Sequence, residues 1–176
     1  MSRDGILMIV SGSVEAANAP GLSWLLKEAL NLPISIVLTD SARRFVTCDA
    51  LLLLGKADEV LTGYTIERGY PTHIRLAQES LAVLVYPASA GFIGKAANGL
   101  ALDLASTCLL ALIDKPVMFV PSMNESMWKN PLVARNVQML QTVGITICST
   151  ETGISPSVET IRLRFLQLLN EKGTIR

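Results

Sequence analysis

The residues able to do chemistry concentrate in two short turns of this 176-residue chain. One reads Pro-Ala-Ser-Ala-Gly-Phe at 87–92, the other Pro-Ser-Met-Asn-Glu-Ser-Met-Trp at 121–128. The first follows the apolar run Leu-Ala-Val-Leu-Val-Tyr and the second Pro-Val-Met-Phe-Val, each as long as a buried strand. Strand, polar turn and helix, repeated between positions 81 and 144, is the grammar of a parallel α/β sheet. Ligands collect in such sheets where the strands end. Two small-residue turns at neighbouring strand ends therefore make one candidate site.

A third turn, Ser11-Gly12-Ser13, closes the apolar run at 6–12. Gly12 permits a tight bend, and Ser11, Ser13 and the freed N–H groups suit an anion at the start of the next helix. An ordinary strand–helix turn has the same composition. Thr39, Asp40 and Ser41 follow a second apolar run and offer more hydroxyls and an N-cap. His73 is the only histidine, and it follows Pro71 and Thr72 where a helix is expected to begin. There it is either a general base or a surface residue that opens the helix.

The elements that must position these residues are legible from periodicity. Strands are predicted at 6–12, 34–39, 81–86, 116–120 and 145–148, with a minor one at 59–61. A helix over 18–30 carries Leu22, Leu25, Leu26 and Leu30 at helical spacing. Short helices are expected at 42–46 and 48–54, and the loop 62–72 gives no clear pattern. Residues 92–107 read as two helical pieces broken at Asn98-Gly99. The second continues as Cys-Leu-Leu-Ala-Leu-Ile, apolar on nearly all sides, which predicts a buried helix beside another subunit. A helix at 130–144 has Pro131 in its first turn and Gly144 at its end. A polar loop at 149–157 precedes an amphipathic helix at 158–170. The expected fold is α/β: a single-domain, Rossmann-like (flavodoxin-like), doubly wound parallel sheet with helices on both faces, spanning 1–176.

Composition narrows the function. Half of the residues are hydrophobic and 17% are charged, as in a globular protein. Fifteen basic and fifteen acidic side chains give zero net charge, so no nucleic acid or anionic membrane is expected as partner. The apolar runs are too short to span a bilayer, and the N-terminus lacks a signal-peptide pattern. The three cysteines are an odd number without metal-like spacing, so reduced thiols, a cytoplasmic location and no metal are expected. The positive mean hydropathy points to apolar surface buried between subunits.

The turns go further together than singly. Ser11-Gly12-Ser13-Val14, His73-Ile74, the turn at 87–92 and the turn at 121–128 stand in this order. In this they resemble the homo-oligomeric flavin-containing cysteine decarboxylases. Lys-Ala-Ala-Asn-Gly-Leu-Ala-Leu-Asp-Leu after the first turn and Asn-Pro-Leu-Val-Ala-Arg-Asn after Trp128 add to the resemblance, which covers residues 6–148. The second turn matches the family's Pro-x-Met-Asn-x-x-Met-Trp at every specified position.

The resemblance implies a bound FMN, with FAD as the alternative. Gly12, Ser13 and Val14 would approach its phosphate, joined by Thr39 and Ser41, with Phe45 also in contact. Ser89, Ala90, Gly91 and Phe92 would border the flavin, and Ser122 would touch it through its backbone. His73 would be the catalytic base, Asn124 would hold the substrate carboxylate, and Met127 would pack near the reacting carbons. Family members place this site between the subunits of a homotrimer, or of a homododecamer built from trimers. The implied chemistry removes a thiol proton, passes hydride from the carbon attached to sulfur to the flavin, and releases carbon dioxide to leave an ene-thiolate.

Two branches of the family then diverge. The coenzyme A branch, 4′-phosphopantothenoylcysteine decarboxylase, uses a cysteine in a mobile clamp after the last strand to protonate the ene-thiolate. The peptide-modifying branch lacks it and releases the ene-thiol. Here the clamp position, 149–157, holds no cysteine, and Cys148 precedes it. No fused synthetase domain is expected. A peptidyl-cysteine decarboxylase, working on a C-terminal cysteine and alongside other peptide-modifying enzymes, is the expectation. A phosphopantothenoylcysteine decarboxylase or a non-catalytic flavin-binding regulator is the alternative. One departure stands out: Gly91-Phe92 replaces the family's Asn-Thr, leaving Phe92 to stack or to close the pocket.

Overall fold

The computed structural model describes residues 4–67, 69–112 and 114–175. From Gly5–Val10 (β1) the chain makes one turn of 3-10 helix, Val14–Asn18, and enters Ala19–Leu30 (α1). Ile34–Leu38 (β2), Cys48–Leu53 (α2) and Glu59–Leu61 (β3) follow. Ile66–Glu67 (β4) and Tyr70–Pro71 (β5) form a small antiparallel hairpin before Thr72–Glu79 (α3). Ser80–Ala88 (β6) leads to Ala90–Ala97 (α4) and Leu104–Ala111 (α5). Val117–Pro121 (β7), Glu125–Trp128 (α6), Pro131–Thr142 (α7), Thr146–Ile147 (β8) and Val158–Glu171 (α8) complete the order.

Six strands make one parallel sheet in the order β3-β2-β1-β6-β7-β8. The chain builds outward from β1 through β2 and β3, then starts again on the other side with β6. The winding therefore reverses between β1 and β6, and the crevice beyond their carboxyl ends is where such sheets bind ligands.

Strand sequence explains the layering. Side chains alternate faces along a strand, so Ile6, Met8 and Val10 pack with Leu22 and Leu26 of α1 and Ile161 and Phe165 of α8. Leu7 and Ile9 pack on the opposite face with Ile93 of α4 and Leu104 and Cys108 of α5. With both faces covered, β1 must be apolar throughout, as Gly-Ile-Leu-Met-Ile-Val is. Truncating the fully buried Phe165 to alanine costs about 3–5 kcal/mol.

Two expectations change. The patternless loop contains the β4–β5 hairpin, held by Thr72, whose Oγ1 accepts from the Thr65 N–H at 2.9 Å. Arg68 in that loop lies outside the described residues. As expected, the two helical pieces at 92–107 are separated, by residues 98–103, because Asp103 and Ser106 form a capping box that starts α5 afresh. The apolar helix is not buried on all sides within the chain: Leu110 is half exposed, and Ile113 at the end of that run lies outside the described residues. Among the described residues, no helix is long and apolar enough to cross a membrane.

Candidate active site

The turns after β1 and β6 are bound to one another at the reversal point. Ser11 is buried, and its Oγ donates to the Pro87 carbonyl at 2.8 Å while accepting from the Ser89 N–H at 2.9 Å. The turn after β2 closes against the same place. A Cβ added to Gly12 would lie 2.4 Å from Ser41 Oγ and 2.5 Å from Ser41 Cβ, so only glycine allows the two turns to touch. Thr39 Oγ1 sits 3.2 Å from both the Val10 carbonyl and Ser41 Oγ. Ser11, Thr39, Ser41, Ser89, Gly91 and Phe92 line a common cavity of about 480 Å³. That volume suits a small organic cofactor.

Ser89 caps α4, its Oγ accepting from the Phe92 N–H at 3.3 Å. This cap places Phe92 one turn into the helix and turns its ring toward the sheet. The ring is 3% exposed and stacks on Phe119 of β7, with centroids 6.1 Å apart. A Cβ at Gly91 would meet nothing within 4 Å. The first turn therefore offers the cavity Ser89 and bare backbone, with Phe92 as a wall rooted in the core.

Two wall residues escaped the sequence reading. Lys95 and Asp103 line the cavity and pair at 2.6 Å. Burial alone would raise the Asp103 carboxyl; hydrogen bonds from Lys95 and Ser106, with the Lys95 charge, outweigh it and hold the group below its usual range. The signal available was the Asp-x-x-Ser cap at 103–106.

The second turn joins the site through Ser122, which is buried and whose hydroxyl meets that of Ser13 at 2.7 Å. Asn124 caps α6: its Oδ1 accepts from the Met127 N–H and the Ser126 hydroxyl, each at 2.8 Å. With the oxygen so engaged, the exposed Nδ2 group is the part free to donate to an incoming carboxylate. Met127 lies beside it, 43% exposed. The 149–157 loop folds over this turn, since the Met123 N–H donates to the Gly153 carbonyl at 3.1 Å and Ser155 Oγ donates to the Pro121 carbonyl at 3.1 Å.

The remaining residues stand apart. His73 is the second residue of α3, half-buried, and is not a wall of the cavity. Among the described residues, its buried Nδ1 has no hydrogen-bond partner. Val14 projects into solvent, and Phe45 lines a separate groove with Trp24, Arg43 and Arg44. Gly12, Ser13, Ala90, Ser122, Asn124 and Met127 do not line the cavity either. Within one chain, the serine- and threonine-rich crevice is assembled, and the candidate base and carboxylate donor are not brought onto it.

A crevice of hydroxyls and backbone at the reversal point of a doubly wound sheet, opened by a glycine that no other residue could replace, is the kind of place where such sheets hold a nucleotide-type cofactor. The residues present fit a phosphate beside Ser13, Thr39 and Ser41. The chain belongs to the Flavoprotein family, which it matches over residues 1–166. It is 31% identical over 186 residues to phosphopantothenoylcysteine decarboxylase of Mus musculus, covering 97% of this chain and 90% of that one. The crystal structure of the FMN-dependent cysteine decarboxylase TvaF from thioviridamide biosynthesis superposes with a TM-score of 0.79 at 29% identity, covering 96% of this chain and 98% of that one. Peptidyl-cysteine decarboxylase EpiD superposes with a TM-score of 0.79 at 26% identity, covering 93% and 98%.

Proposed function

We propose that this chain is an FMN-dependent decarboxylase acting oxidatively on the C-terminal cysteine of a ribosomal precursor peptide. The bound flavin supplies the acceptor for the hydride that leaves the carbon attached to sulfur. His73 takes the thiol proton, and Asn124 Nδ2 donates to the substrate carboxylate until carbon dioxide departs. Met127 packs against the reacting carbons. Ser13, Thr39 and Ser41 hold the phosphate, while Ser89, Ala90, Gly91 and the Ser122 backbone border the ring. Because His73 stands off the crevice of its own chain, the working site is completed by a second copy, in a homotrimer or a larger assembly of trimers. Exposed apolar side chains at Tyr64, Ile66, Leu102 and Leu110 supply surface for that association.

The observation that carries the peptide substrate is the absence of a thiol from the loop that covers the second turn. Residues 149–157 contain no cysteine. Cys148 packs against the core instead, and burial raises its thiol above the ordinary value despite the Arg164 charge nearby. A thiol so placed is a poor proton donor to an ene-thiolate over Asn124, so the product leaves as the ene-thiol. The second reading, phosphopantothenoylcysteine decarboxylation, is favoured by the 31% identity to the mouse protein. Incubating the protein with a peptide ending in free cysteine, and separately with phosphopantothenoylcysteine, separates the two by which substrate loses carbon dioxide.

A further inference from the structure

We propose that Tyr64 is the positioning residue for His73, acting from a post on α5. This rests on the reading of His73 as the base. Three observations converge on it. The Tyr64 ring meets the His73 imidazole edge to face, at 6.1 Å between centroids and 85° between planes. The Tyr64 hydroxyl and Thr107 Oγ1 of α5 are hydrogen-bonded at 2.5 Å. His73 Nδ1 is buried and has no hydrogen-bond partner among the described residues.

A base is normally oriented through its second ring nitrogen, which bonds to a carboxylate or carbonyl. Among the described residues His73 Nδ1 makes no such bond, and packing orients the ring. Two χ angles fix an imidazole, and an aromatic ring packed perpendicular to it restricts both. Tyr64 provides that ring. It sits in the loop between β3 and β4, which by itself would hold a ring loosely. Thr107 corrects this, because α5 packs on α3, the helix that carries His73. Imidazole, tyrosine ring and threonine hydroxyl thus close a circuit through two packed helices. The opposite end of the loop is also fixed: the fully buried Thr72 donates from Oγ1 to the Thr65 carbonyl at 2.6 Å. With Nδ1 buried, the nitrogen that this arrangement offers to a substrate thiol is Nε2.

The lone histidine makes the test direct, since histidine-selective ¹⁵N labelling of the flavin-loaded protein gives one imidazole spin system. Tyr64→Leu is expected to shift the imidazole resonances and to lower kcat on a cysteine-terminated peptide about tenfold with KM held, as misorientation of a reacting group does. Tyr64→Phe keeps the ring but loses the Thr107 bond, so its turnover is expected to fall between that of the wild type and that of Tyr64→Leu, level with Thr107→Val. Thr107→Val keeps both rings and serves if Tyr64→Leu does not fold; it is expected to broaden the imidazole resonances and lower kcat. Imidazole resonances unmoved in Tyr64→Leu, or moved with kcat unchanged, would overturn the proposal. Equal losses in Tyr64→Phe and Tyr64→Leu would overturn the role of the ring. A wild-type protein that decarboxylates nothing removes the base assignment and the positioning role together. The resonance shift in Tyr64→Leu would still register the ring contact, so the two failures are distinguishable.

Discussion

The hydroxyls of Ser13 and Ser122 meet at 2.7 Å, joining the turn after β1 to the turn after β7 across the end of β6. The turn proposed to hold the phosphate and the turn that carries Asn124 are therefore one hydrogen-bonded unit. Ser122→Ala breaks the link while leaving backbone contacts in place. Losing one such bond is worth about 0.5–1.5 kcal/mol, so FMN affinity should fall up to roughly tenfold in a fluorescence titration, with the melting temperature little changed.

Gly12→Ala tests the close approach of the first two turns. Its Cβ would lie 2.4 Å from Ser41 Oγ, and overpacking of this kind costs about 1–3 kcal/mol. Urea denaturation should show that loss together with loss of flavin. Adding Ser41→Gly should recover stability but not full flavin affinity.

Gly153 holds the covering loop down. Its φ is +76°, and a Cβ there would lie 2.5 Å from Trp128 Cβ. Gly153→Ala should lift the loop from α6 and raise KM for a peptide by about tenfold, with flavin retained, because the strain of about 1–3 kcal/mol falls on the loop alone. Steady-state kinetics with the absorbance spectrum of the bound flavin would check this.

How much of this was legible beforehand follows from range in sequence. β1 announces itself because both its faces are buried, and α7 because Asn130-Pro131 and Gly144 mark its ends. The three serine turns were legible as a set because each directly follows a strand. Contacts between distant segments were not. Trp128 gives no sign that Gly153 will lie against it, and Tyr64 none that Thr107 will hold it. Phe92, read as a residue that stacks or closes the pocket, is a wall of the cavity whose ring stacks on Phe119, since the Ser89 cap sets the phase of α4 and that phase faces Phe119. Phe45 lines another groove because the 3-10 turn Ala42–Arg44 directs it away from the crevice.

Acid sensitivity should trace to Glu59. Burial raises its carboxyl, but hydrogen bonds from Arg75 and Ser35 and the Arg75 charge outweigh it, so the group titrates below 4.5 in the folded protein. A folded value lower than the unfolded one gives stability that is fully present above the unfolded value. That stability is lost as pH falls through the folded value. Urea midpoints should therefore decline as pH falls through and below the ordinary carboxylate range, and Glu59→Gln should be less stable at neutral pH with a shallower decline.

The measurement that bears most directly on the central claim is the mass of a synthetic peptide ending in free cysteine after incubation with the flavin-loaded protein. The account predicts a loss of about 46 mass units, carbon dioxide plus two hydrogens, since the flavin keeps the hydride. His73→Asn should abolish this loss while retaining the flavin. An unchanged peptide, together with loss of carbon dioxide alone from phosphopantothenoylcysteine, would contradict the account.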